Sequence, residues 1–217
     1  TYVNISGRFF ANATEANRYT IAATAGTLRD LYLKLDTVPG GVTTRIITLF
    51  KNAGSTALTC TVTSAATTCS DTTNEVAVVA GDTLTWKSTV TGSPTNTTTN
   101  TAVNFLPNTA TESFYSGGSA DTNLSNATTE YITLAGQGTP LSTETQSQSV
   151  IPAAGTITAM YVLLGATPGG AATRDFTIML NGSAQTMTCN VGSGATTCNT
   201  TSNPVTIAAG DRVSVRS

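Results

Sequence analysis

Apolar and polar side chains alternate along much of the chain, the period-two signature of strands with one face on a core and the other in water. Leu31, Leu33 and Leu35 fall on one face, with Tyr32, Lys34 and Asp36 opposite. Leu58, Cys60 and Val62 alternate with threonines. Val76 and Val78 lead into an Ala80-Gly81-Asp82 turn, beyond which Leu84 and Trp86 face inward between Thr83, Thr85 and Lys87. The same phrasing returns as Met160, Val162 and Leu164, as Phe176, Ile178 and Leu180, and as Val205 and Ile207. After a second Ala-Gly-Asp turn come Val213 and Val215. No window keeps a helical period. Short strands parted by Gly, Pro and Asn predict an all-β chain of antiparallel sandwiches.

The alternation recurs because the sequence does. Residues 1–88 align without a gap on 130–217, at an offset of 129, with 31 of 88 positions identical. Pro39-Gly40-Gly41 falls on Pro168-Gly169-Gly170, Arg45 on Arg174, Cys60 and Cys69 on Cys189 and Cys198, and Gly81-Asp82 on Gly210-Asp211. A repeat this long marks two copies of one domain rather than a short-period solenoid. The expected domains are 1–107 and 108–217. Between the copies, Thr89 to Asn100 reads as a loop. Ala102–Leu106 reads as the last strand of the first domain, and Ser113–Tyr115 as the first strand of the second.

The copies are unequal. The second ends its alignment at Ser217, the counterpart of Ser88, and so carries no counterpart of Ala102–Leu106. The first opens at Thr1 and has none of Phe114-Tyr115. Each domain is therefore expected to lack one strand. A vacant strand position exposes unpaired N–H and C=O groups and core side chains, so something must fill it: either the natural polypeptide continues with more repeats, or a strand from a neighbouring chain does so.

Composition narrows the setting. Of 217 residues 39 % are hydrophobic, enough for two cores, but only 10 % are charged. Threonine (47) and serine (18) take the place of charge, and threonine keeps the outer face of a strand polar without it. Such surfaces suit proteins that work outside the cell or on a virion, packed against neighbours. The net charge is −2 with scattered Lys and Arg, which speaks against nucleic-acid binding. No apolar run reaches the roughly 18 residues of a membrane span.

The four cysteines form two C-x8-C pairs. That spacing is too long for a zinc ribbon, and no histidine exists to complete a mixed site. Disulfides Cys60–Cys69 and Cys189–Cys198 are the simplest reading, with four buried thiols as the alternative; the former imply an oxidising compartment or a hyperthermophile's cytoplasm. No metal or other cofactor is expected.

Catalytic constellations are hard to assemble. Lacking histidine, the chain has no Ser-His-Asp or Cys-His arrangement. Asp82 and Asp211 sit in matching turns, where a carboxylate caps its own backbone. Asp30, Asp36 and Glu75 lose their carboxylates in the second copy. The Pro-Gly-Gly segments lack the Lys and Ser/Thr of a phosphate loop and precede strands. Arg45 and Arg174 are expected to tie the sheet rim, and Trp86 to pack in the core. Tyr19, Tyr32 and Tyr161 remain as platforms for a sugar ring. Sequons occur at Asn4, Asn12, Asn96, Asn123, Asn126, Asn181 and Asn199; Asn96, Asn123 and Asn126, in linker loops, are the candidates for glycosylation. No enzyme is expected.

Gly26–Leu33, the Pro-Gly-Gly turn, Thr48–Asn52 and Val79–Leu84 together resemble a jelly-roll-type repeat of secreted and viral surface proteins. The resemblance spans both copies and implies two tandem homologous jelly-roll-like sandwiches in a surface setting, with no catalytic residues. In composition and missing strands the chain is also similar to subunits of archaeal and bacterial extracellular filaments that donate a strand to the next subunit. The expected function is a non-enzymatic, pilus-like filament subunit at the cell surface, self-associating head to tail. The expected donor is Tyr2–Phe10, with Tyr2, Val3 and Ile5 leading and Val3 and Ile5 turned inward. A virion coat, decoration or fibre protein and a carbohydrate-binding adhesin module are the alternatives.

Overall fold

The computed structural model describes every residue except 4, 6–10 and 120–121. Apart from two short 3-10 turns, at Glu15–Arg18 and Glu144–Gln146, its regular structure is all β. The described residues divide into two compact units, the first of 1–3, 5 and 11–114 and the second of 115–217.

The first unit holds β1 (Tyr2–Val3), β2 (Thr20–Ile21), β3 (Gly26–Leu35), β4 (Thr44–Lys51), β5 (Gly54–Thr63), β6 (Thr68–Val78), β7 (Thr83–Thr91) and β8 (Thr99–Pro107). One sheet runs β1-β7-β4-β5, with β2 also on β7, and the other runs β6-β3-β8. Every pairing is antiparallel. The leucines of β3 meet Ile47, Leu49, Leu58, Val62, Leu84 and Trp86 in one core. This is a sandwich-like arrangement, and the alternation written in the sequence is its cause: Leu58, Cys60 and Val62 are buried while their threonine neighbours are exposed. Each fully buried Leu or Val contributes about 1.5–3 kcal/mol. Trp86 is 1 % exposed, a core residue as expected.

The second unit holds β9 (Gly117–Gly118), β10 (Tyr131–Thr133), β11 (Gly136–Gln137), β12 (Ser149–Val150), β13 (Gly155–Ile157), β14 (Met160–Leu163), β15 (Arg174–Leu180), β16 (Ser183–Val191), β17 (Thr197–Thr200), β18 (Val205–Ile207) and β19 (Arg212–Arg216). The order β10-β19-β15-β16, with β12 on β19, repeats that of the first unit. The registers repeat too. Ile47 faces Cys60 as Phe176 faces Cys189, and Leu33 faces Cys69 as Val162 faces Cys198. Both Pro-Gly-Gly turns use the left-handed region, with φ of 81° and 54° at Gly40 and Gly41 and 83° and 55° at Gly169 and Gly170. Glycine enters that region without steric cost.

One pairing of the first unit is broken in the second. Strands β3 and β6 each run through, whereas their counterparts are split into β13 and β14 and into β18 and β17. Pro204 stands where Glu75 pairs with Arg29, and proline cannot donate to the ladder.

Both disulfides are formed, Cys60–Cys69 and Cys189–Cys198, with Cα atoms 5.8 and 5.9 Å apart. Each joins the β4-β5 or β15-β16 sheet to a strand of the facing layer, closing a loop of about ten residues and contributing about 2–3 kcal/mol. The segment between the copies differs from expectation. Ser113–Tyr115 forms no strand. Phe114 instead packs edge-on against Phe105, at 4.9 Å between ring centroids, and Thr24 donates to the Glu112 carboxylate, so this stretch closes the first unit. The second opens with β9, paired parallel to β11.

Candidate functional site

Comparing the units strand by strand isolates one feature. In the first, β3 is a central strand, with β6 on one side and β8 on the other. Strand β8 alternates half-buried and exposed positions, and Val103 and Phe105 pack against the core. In the second, among the described residues, β13 and β14 pair only with β18 and β17, and no strand stands in the place of β8. Their outer N–H and C=O groups form an open antiparallel edge.

The side chains record the missing cover. Leu28, Leu33 and Leu35 are 1–2 % exposed in the first unit; their counterparts Ile157, Val162 and Leu164 are only partly buried. Gly26 is buried and Gly155 is exposed. A Cβ on Gly26 would lie 2.5 Å from the Leu106 carbonyl oxygen and 2.6 Å from the Phe105 ring, so nothing larger than glycine fits under β8. At Gly155 the same Cβ meets nothing within 4 Å. Neither glycine has a positive φ. Sequence reading predicted the open place but missed this pair, although both glycines stand at the same point of the repeat.

Of the expected donor, the described residues Tyr2, Val3 and Ile5 belong to the first unit. Tyr2 and Val3 form β1 and pair with Lys87 and Trp86 of their own unit, as Tyr131 and Ile132 pair with Arg216 and Val215. Val3 and Ile5 pack on the first core. The rest of the expected donor, residues 4 and 6–10, lies outside the described residues.

The carboxylates hold turns. Asp82 accepts from the Val79 N–H at 2.9 Å and from Asn52 Nδ2 at 2.7 Å, while Asn52 Oδ1 accepts from the Thr83 N–H. Asp211 and Asn181 repeat this with Ala208 and Arg212. Burial pushes the Asp82 carboxyl up, but these bonds and nearby Lys51 outweigh it and hold its pKa below the ordinary range. Hydrogen bonds from Ala208 and Asn181 lower Asp211 likewise. Asp71, 8 % exposed, is raised by burial yet held below the usual value by N–H groups of Thr59, Asn74 and Thr73 and by the Asn74 amide. Asp30 accepts from Asn104 and pairs with Arg29; Asp36 accepts from Thr98.

Arg174 donates to the Ser125 carbonyl at 2.9 Å and to Ser217 Oγ at 3.1 Å. Arg45 reaches the Thr95 carbonyl and Ser88 Oγ at 3.4 and 3.5 Å. Both arginines tie the rim. Tyr32 is 53 % exposed beside a shallow depression lined by Lys34, Ser70 and Asn100; Tyr19 and Tyr161 are half-buried. Asn96, Asn123 and Asn126 are exposed in loops. Among the described residues no three His, Cys, Asp or Glu converge on a metal site, and no helix is long and apolar enough to cross a membrane.

No protein-family model matches the chain, and no curated protein matches it.

Proposed function

We propose that the chain is a non-enzymatic structural subunit of an extracellular, pilus-like filament, made of two tandem homologous jelly-roll-like sandwiches that assemble head to tail by strand addition. The observation that carries this reading is the edge of β13 and β14, which among the described residues is open where the first unit has β8. An added strand completes both the hydrogen-bond ladder and the cover over Ile157, Val162 and Leu164. A head-to-tail contact of this kind does not close on itself and therefore grows. A Thr- and Ser-rich surface with 10 % charged residues favours close packing of copies. Two disulfides fit an oxidising compartment.

Light scattering of purified protein against concentration tests it. Open-ended growth is expected. A single closed oligomer contradicts it and points to a virion coat or decoration protein instead. A carbohydrate-binding adhesin is a second reading, favoured by exposed Tyr32 over its shallow polar depression. It predicts glycan binding by the monomer that Tyr32→Ala abolishes.

A further inference from the structure

We infer that the edge of β13 and β14, unpaired among the described residues, is a specific seat for one kind of occupant: an antiparallel strand from a neighbouring polypeptide, carrying an aromatic side chain that lies over Gly155. The inference rests on the strand-addition reading and adds the chemistry and register of the incoming strand.

Strand β8 is the internal template. In the first unit Phe105 faces Leu28, Ala102 faces Tyr32 and Thr99 faces Leu35. Shifted by the repeat, the occupant sets its aromatic opposite Ile157, a small residue opposite Tyr161 and a polar residue opposite Leu164. Its inward positions follow the half-buried series of β8: Thr99, Thr101, Val103 and Phe105. In the first unit the ring opposite Leu28 lies over Gly26, which has no room for a Cβ. Gly155 keeps that absence of a side chain with open space above it. A glycine in a strand weakens it unless another group approaches closely. Among the described residues the free unit gives no such reason; an aromatic ring on an added strand does. Ile157, Val162 and Leu164, each partly buried, gain the same cover.

The test uses a labelled peptide with the sequence of residues 99–107 (TNTAVNFLP) and fluorescence anisotropy against the purified chain. Saturable binding is expected. Replacing the peptide's phenylalanine by alanine should weaken it by about tenfold, the effect of withholding one aromatic side chain from burial. Gly155→Leu should abolish binding while leaving the thermal melt of the chain unchanged, since its side chain enters open space. Undiminished binding to Gly155→Leu, or no binding to the parent chain, overturns the inference. Hydrogen exchange on the native polypeptide identifies the source of the strand: protection of residues 155–164 in a monomer means an occupant from the same chain and overturns the neighbour. Failure of this seat and failure of the filament reading are distinguishable. Filaments that persist in Gly155→Leu overturn the seat and leave the filament. Peptide binding that depends on Gly155, with no filaments, supports the seat and overturns the filament.

Discussion

Two glycines at the same place in the repeat have different neighbours, and substitution should separate them. Gly26→Leu drives a side chain into the Leu106 carbonyl and the Phe105 ring and should cost the first unit about 3 kcal/mol, the upper range for overpacking. Gly155→Leu should change stability by no more than about 0.5 kcal/mol. Trp86, the lone tryptophan, lies in the first core, so its fluorescence reports that unit's unfolding in urea. Acid should also divide the units. Asp71 and Asp82 have folded pKa values below the ordinary carboxylate range. Their contribution is therefore complete above the unfolded value, about 3.9, and is lost as pH falls through the folded value. The second unit has Thr200 in place of Asp71. Trp86-detected stability should thus drop as pH falls below about 4, and Asp71→Thr should reduce the slope. A pH-independent midpoint across that window would refute the role given to these carboxylates.

Strands β8 and the disulfide-linked pairs set how much each sandwich relies on its borders. Phe105→Ala removes the ring over Gly26 and its contact with Phe114, and should cost the first unit about 2 kcal/mol. The paired change Cys60→Ser with Cys69→Ser should cost about 2–3 kcal/mol; thermal melts followed by Trp86 measure both. At this scale the sequence was informative wherever alternation and turn chemistry act locally. Strands such as Leu31–Leu35 and Leu58–Val62, the Asp82 turn, buried Trp86 and both cysteine pairs were legible because each depends on near neighbours in the chain. Ser113–Tyr115 was not, because its apolar residues look like a strand and only a distant ring, Phe105, draws Phe114 elsewhere. The split of β13 from β14 was hidden for a similar reason: Pro204, which interrupts the ladder, lies on the partner strand. Gly155 was overlooked because a glycine without positive φ has no local signature; its meaning comes from β8 over Gly26, a relation between strands.

At the scale of the molecule, the second unit presents an edge over apolar side chains that is unpaired among the described residues, and a protein that keeps such an edge either covers it or aggregates through it. Under the proposed filament reading, the Thr- and Ser-rich composition and sparse charge suit a part that stands in contact with its own kind. Cryo-electron microscopy of the native material, followed to the resolution at which strands separate, measures the outcome directly. A filament of repeating subunits is predicted, with a strand from the neighbouring subunit lying antiparallel along β13 and β14 and an aromatic side chain over Gly155. Discrete particles or closed rings in which that edge is bare would contradict it.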